Sequence, residues 1–265
     1  MSSCPVCVRS DRCLYIQLGF AFFPTDLLSG MVRRTRRATA QMRRRIPGDS
    51  RGNMKNAERE DNMKILIACE ESQEVCKAFR ARGHEAYSCD IQDCSGGHPE
   101  WHIKADALEI IKIKWDLIIA HPPCTYLSNA GARWLYAGKR LNEDRYQKGL
   151  KGKAFFMKFY NADCNKIAIE NPIPSSIFEM PQYSQIIEPY YFGEPWSKKT
   201  CLWLKGLPPL FPTEIINDYK PYCSSGSYSK TKNPKYKGAS RKGGSAKIRS
   251  KTFPGIARAM AEQWG

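Results

Sequence analysis

The feature that most narrows the fold of this chain is an alternation along its length. Short, mainly apolar runs are each closed by a polar cluster, and most are followed by residues at helical spacing. Lys64-Ile65-Leu66-Ile67-Ala68 is the first such run, Trp115-Asp116-Leu117-Ile118-Ile119-Ala120 the most apolar, and Lys166-Ile167-Ala168-Ile169 a third. A continuous apolar run suits a strand buried on both faces, and strands of that kind belong to parallel sheets covered by helices. The alternation predicts an α/β doubly wound, Rossmann-like sheet.

The remaining elements follow from local chemistry. Glu74 to Arg82 reads as a helix stopped by Gly83, and Glu85–Ser88 as a second strand ending at Asp90. Asp106–Ile111 is expected to form a short helical turn, Lys148–Tyr160 a long amphipathic helix, Thr200–Leu204 a strand, and Phe253–Trp264 a closing apolar helix. Residues 219–250 are rich in Gly, Ser and Lys, with Tyr222, Tyr228 and Tyr236 among them.

In open α/β sheets ligands bind outside the carboxyl ends of the strands. The polar clusters that close the strands are therefore the candidate site: Glu70-Glu71-Ser72, Asp90-Ile91, Asp106-Ala107, His121-Pro122-Pro123-Cys124 and Glu170-Asn171-Pro172. Asp90 can accept hydrogen bonds from a ribose diol, although a helix cap or a surface acid would read the same way. Asp106 can accept from an adenine amino group, and is equally an ordinary N-cap. The two prolines before Cys124 fix the backbone and cannot extend a sheet ladder, so they present the next side chain rigidly. A thiol held there can attack an electron-poor ring carbon once it is a thiolate. An inert buried cysteine is the competing reading of Cys124 taken alone. Glu170, on a neighbouring strand end, shifts the balance. A carboxyl group there can engage N3 and the exocyclic amine of a pyrimidine, and protonating N3 makes C6 electrophilic. His121 reads as a loop hydrogen-bonder, and the four histidines have no metal-ligand spacing, so no metal is expected.

Charge points to the partner. Lys and Arg number 42 against 26 Asp and Glu, a formal net charge of +16, which favours a polyanion such as nucleic acid. A basic protein with no such partner is the plainer alternative. Residues 1–62 carry 12 basic and 6 acidic residues, leaving +10 in residues 63–265. This leader has little apolar periodicity. It is expected to be disordered, or an over-extended start with Met63 as the working initiator. A zinc half-site at Cys4, Cys7 and Cys13, a signal-like run from Leu14 to Phe23, an Arg-rich transit peptide and a DNA-binding arm are its alternatives. Eleven cysteines, an odd count without framework spacing, argue against a secreted disulfide scaffold and for a reducing cytoplasm.

At these residues the chain resembles the cytosine-C5 DNA methyltransferases, in a short phage or prophage style. Pro122-Pro123-Cys124 is similar to the family's Pro-Cys motif and Ile169-Glu170-Asn171 to its Glu-Asn motif, in the same order. Ser197-Lys198-Lys199-Thr200-Cys201-Leu202-Trp203-Leu204 stands where the family has a basic motif before a strand. Thr252-Phe253-Pro254-Gly255-Ile256-Ala257 resembles its last motif, which folds back on the cofactor site. The resemblance covers about residues 63–265. It implies the class I S-adenosylmethionine-dependent methyltransferase sheet, S-adenosyl-L-methionine as cofactor, DNA as partner, and a cytoplasmic monomer that does not engage membranes. Cys124, Glu170, Asn171 and Lys199 are the implied catalytic group. Glu70, Glu71, Ser72, Asp90, Ile91, Asp106, Ala107, His121, Pro122, Pro254 and Gly255 are the implied cofactor contacts. Lys198, with Lys235, Lys237, Arg241 and Lys242 of the basic insertion at about residues 205–250, is the expected DNA surface.

The chain also departs from the family. Cys69-Glu70-Glu71-Ser72-Gln73 replaces the glycine-rich cofactor loop, Thr125 follows Cys124 where Gln is usual, and the basic motif contains no Arg. Residues 205–250 are too few for a full target-recognition domain. Two other readings therefore stay open: a thiolate enzyme acting on free pyrimidine nucleotides, and a degenerate methyltransferase fold that only binds DNA.

Overall fold

The computed structural model describes residues 62–132, 134–138, 140–222 and 250–265. The leader up to residue 61 lies outside the described residues, as do Lys235, Lys237, Arg241, Lys242 and most of the basic insertion.

The chain runs β1 (Lys64–Ala68), α1 (Glu74–Arg80), β2 (Glu85–Asp90), β3 (His102–Lys104), α2 (Ala107–Ile110), β4 (Leu117–Ala120) and α3 (Asn129–Ala132). It continues through β5 (Tyr136–Ala137), β6 (Arg140–Leu141), α4 (Glu143–Tyr160), β7 (Ile167–Pro172), β8 (Gln185–Ile187) and β9 (Trp196–Ser197). β10 (Thr200–Lys205), β11 (Lys220–Pro221) and α5 (Pro254–Trp264) complete it. Seven strands form one sheet in the order β3-β2-β1-β4-β7-β10-β8. The five on the β3 side pair in parallel, whereas β10 runs antiparallel to both β7 and β8. The reversal of strand order on either side of β1 is the switch point of a doubly wound sheet. The Rossmann-like α/β class expected from the alternation is the one observed.

The apolar runs are buried on both faces, which is why they do not alternate. Ile65, Ile67, Leu117 and Ile119 pack with Val75 and Phe79 of α1 and Ala257, Met260 and Trp264 of α5. Leu66, Ile118, Ile167 and Ile169 face the other way, against Phe156 and Phe159 of α4 and the indole of Trp115. Each such side chain contributes about 1.5–3 kcal/mol relative to exposure. The order of the strands therefore rests on two apolar layers, not on loop chemistry.

Boundaries moved where tertiary partners intervened. α4 starts at Glu143, ahead of the expected Lys148, because Asn142 caps it by accepting from Arg145 N at 3.1 Å. The pairs Glu143–Gln147 and Asp144–Lys148 support its first turns. α1 ends at Arg80, and Gly83 turns the chain at φ 91°. Strand β7 was expected to stop before Glu170, yet it runs to Pro172. Antiparallel β10 extends past the end of the parallel strands and pairs Leu202 with Glu170 and Cys201 with Asn171. The two site residues thus sit on paired backbone and not in a loop. Among the described residues no helix is long and apolar enough to cross a membrane.

Candidate active site

The segment after β4 is held from several sides. His121 N donates to Ala68 O at 2.9 Å, which continues the β4–β1 contact one residue beyond the strand. Asn171 on β7 donates through Nδ2 to the carbonyl of Pro122 at 3.0 Å, a buried bond that crosses to the neighbouring strand. Beyond the thiol, Leu127 N and Ser128 N both donate to Cys124 O, at 3.1 and 2.9 Å, forming a tight turn. Arg145 of α4 donates through Nη2 to the carbonyls of Thr125 (3.2 Å) and Gly131 (3.4 Å), and its guanidinium lies over Tyr126. Two prolines, one amide and one guanidinium thus limit the freedom of Cys124. Arg145 was not anticipated from the sequence, because nothing local marks it as different from the other basic residues of its helix.

Three charged groups converge at this edge. His121 Nδ1 and Glu170 Oε2 are 3.1 Å apart, with only 8% and 15% of their side chains exposed. For His121, burial favours the neutral ring. The hydrogen bond and charge of Glu170, with the charge of Glu70, outweigh that and raise its pKa despite opposition from Lys198. For Glu170, burial favours the neutral acid, but the bond and charge of His121 and the charge of Lys198 prevail and hold it below the usual range. Each partner therefore favours the charged form of the other. Burial and the Glu170 charge push the Cys124 thiol up, while Lys198 favours its thiolate. Cys89 and Cys201 are pushed up to about 11, chiefly by burial, which disfavours their thiolates.

The structure brings Lys198, and not Lys199, to the thiol and carboxylate. Lys199 is exposed, and its charge bears on Glu188. Lys198 shares a small cleft with Glu170, Thr200, Lys251, Thr252, Phe253 and Ile256, so the segment before α5 lies beside the end of β7 and the start of β10. Lys251 reaches Ser95 Oγ at 3.3 Å and ties that segment to the loop after β2. Its position just ahead of Thr252-Phe253-Pro254 was the available signal for it. Pro254 opens α5 at its first position, where a missing N–H costs nothing. Gly255 has a packing reason to be glycine: a Cβ there would stand 1.9 Å from Phe192 O.

The β1–α1 loop shows how the chain manages without glycines. Cys69 and Gln73 adopt left-handed φ of 60° and 61°. Gln73 is fully buried, donates to His98 O at 2.8 Å and accepts from His98 N at 3.1 Å. Ser95 N donates to Glu71 O, and Gly96 approaches so closely that a Cβ would stand 2.5 Å from Ser72 O. Glu70 accepts from Val75 N (2.7 Å) and Cys76 N (3.2 Å), so its carboxylate is taken up in capping α1. The β2 end is more open. Asp90 accepts from Gln92 N through Oδ1 only, and Ile91 beside it is 73% exposed. Asp106 caps α2 by accepting from Leu108 N, and Ala107 is buried behind it. An acceptor for a diol next to an uncovered apolar side chain fits the adenosine half of S-adenosylmethionine. In the loop at Glu70–Gln73, the side chains of Glu70 and Gln73 are already paired. Among the described residues no cluster of His, Cys, Asp and Glu could hold a metal.

The sheet order, with its antiparallel strand next to the edge, is that of a doubly wound Rossmann-like α/β fold. The sequence matches no family model and no curated protein. Among solved structures, the chain is similar to Entamoeba histolytica methyltransferase EhMeth, with a TM-score of 0.39 and 14% identity over 59% of this chain and 58% of that one. It is also similar to S. pombe Dnmt2 methyltransferase, with a TM-score of 0.36 and 13% identity over 59% of this chain and 53% of that one. The match thus spans less than two thirds of either protein.

Proposed function

We propose that this chain transfers a methyl group from S-adenosylmethionine to C5 of cytosine in DNA, with Cys124 as the nucleophile. The observation that carries this reading is the pairing of strand ends. The thiol on a proline-fixed turn and the carboxylate of Glu170 lie at one sheet edge, cross-linked by the Asn171–Pro122 bond. A free cysteine and a free glutamate would be unremarkable; a nucleophile and an acid mounted on adjacent rigid strands can serve one ring.

S-Adenosylmethionine supplies an electrophilic methyl group. Asp90 and Ile91 are the residues that would hold its adenosine, with Asp106 and Pro254 as further candidates. Glu170 holds N3 of the cytosine and delivers a proton there. Cys124 adds to C6, which becomes electrophilic as N3 is protonated. Lys198 favours the thiolate and offers a cation to a phosphate. Asn171 fixes the loop that carries Cys124. A base taken out of the duplex is needed for such contacts, because C6 and N3 are shielded in the stack.

The experiment is transfer of labelled methyl to duplex DNA, and in parallel to dCMP, by the wild-type chain and by Cys124→Ser. Wild type should label DNA, and Cys124→Ser should lose at least about a thousandfold in the chemical step. DNA containing 5-fluorocytosine should form a stable adduct at Cys124, since fluorine cannot leave as a proton does. Labelling of dCMP alone would make the chain a nucleotide enzyme. Substantial activity in Cys124→Ser would remove the covalent mechanism.

A further inference from the structure

We propose that His121 is the proton partner of Glu170, holding on its Nδ1 the proton that the carboxyl group passes to the substrate ring. This rests on the cytosine reading above and adds a residue to it. Glu170 as it stands is a paired carboxylate, so it has no proton of its own to give. The nearest proton donor is the imidazole bonded to Oε2 at 3.1 Å.

The geometry is specific. The backbone of His121 is fixed to Ala68 and, through Pro122, to Asn171, so the main chain that carries its ring is held beside Glu170. Its Nε2 is buried and has no hydrogen-bond partner among the described residues. The ring is therefore anchored through Nδ1 alone. The charged groups around it come from three elements: Glu170 on β7, Glu70 on the β1–α1 loop, and Lys198 on the turn before β10. Two carboxylates against one ammonium group favour the imidazolium.

The proton balance is as follows. As the Cys124 thiolate forms its bond to C6, the displaced π pair moves through C5 and C4 to N3. One proton moves in net: His121 Nδ1 gives it to Glu170 Oε2, and the carboxyl group so formed gives a proton to N3. His121 is left neutral with its remaining proton on Nε2, and Glu170 is again a carboxylate. When C5 has been alkylated, loses its proton and expels Cys124, the N3 proton returns along the same path.

The test uses the full chain with ring-labelled histidine, following the four imidazoles by NMR against pH. His121 should titrate above the ordinary histidine range in wild type and move to lower pH in Glu170→Gln. An unmoved midpoint overturns the pairing, whether or not DNA is methylated. In single-turnover methyl transfer at saturating cofactor, His121→Asn should be slower by about a hundredfold. The wild-type rate should fall at alkaline pH as the imidazolium is lost, and the variant should lack that limb. His121→Gln keeps an N–H for Glu170 but cannot titrate. A wild-type rate in His121→Gln would reduce His121 to a hydrogen-bonding support and overturn the proposal. If wild type itself fails to methylate DNA while the His121 midpoint still follows Glu170, the fault lies with the cytosine reading and not with the pair.

Discussion

Lys198 and Lys199 are adjacent in sequence and electrostatically separate. Lys198 acts on Cys124, Glu170 and His121, whereas Lys199 acts on Glu188. The consequence is measurable at a single thiol. Removing the Lys198 charge leaves burial and Glu170 opposed only by a backbone hydrogen bond, so the thiolate becomes harder to form. Alkylation of Cys124 in Lys198→Gln should shift to higher pH and slow severalfold at pH 7, measured by peptide mass after timed labelling. Lys199→Gln should leave the profile where it was; an equal shift in both would assign the effect to net charge. The residue scale is also where the sequence was least informative. Cys124 and Glu170 stood out because a strand end is a local pattern. The His121–Glu170 contact joins residues 49 apart, and no spacing rule connects them.

Among the secondary elements, α5 is the one that most depends on close approach. It packs beside α1 over the β1 and β4 face and contributes Ala257, Met260 and Trp264 to that layer. Its second residue, Gly255, meets the backbone carbonyl of Phe192, and Gly255 N donates to Glu194 Oε1 at 3.2 Å. A backbone carbonyl cannot yield as a side-chain tip can. Gly255→Ala should therefore cost roughly 1–3 kcal/mol or more through displacement of the helix start. Gly152, inside α4, is the internal contrast. Its Cβ would touch Leu127 at 3.4 Å, and the backbone there is helical. Gly152→Ala should stabilise by up to about 1 kcal/mol. Denaturant midpoints of the two variants decide it; a Gly255→Ala midpoint equal to wild type would mean that α5 is loosely docked.

Among the described residues, the sheet and both apolar layers are built from residues beyond Met63, and β1 begins at Lys64. Met63 itself packs against the α1–α5 layer, and Asn62 accepts from Glu85 N at 3.0 Å. A chain beginning at Met63 should fold cooperatively, with a Tm within a few degrees of the full chain and the same cofactor affinity. Loss of cooperativity would show that the leader completes the fold. The sequence by itself determined the class of fold and the carboxyl-end location of the candidate site. Both follow from local patterns, because continuous apolar runs demand two covered faces and prolines fix the backbone wherever they occur. Only the tertiary structure decided the rest. Antiparallel pairing with β10 drew Glu170 and Asn171 into a strand. Burial put an imidazole ring against a carboxyl group, turned Glu70 into a helix cap, and let one lysine of two reach the thiol. Each of these depends on which groups share a desolvated space, and that is fixed by the packing of distant segments.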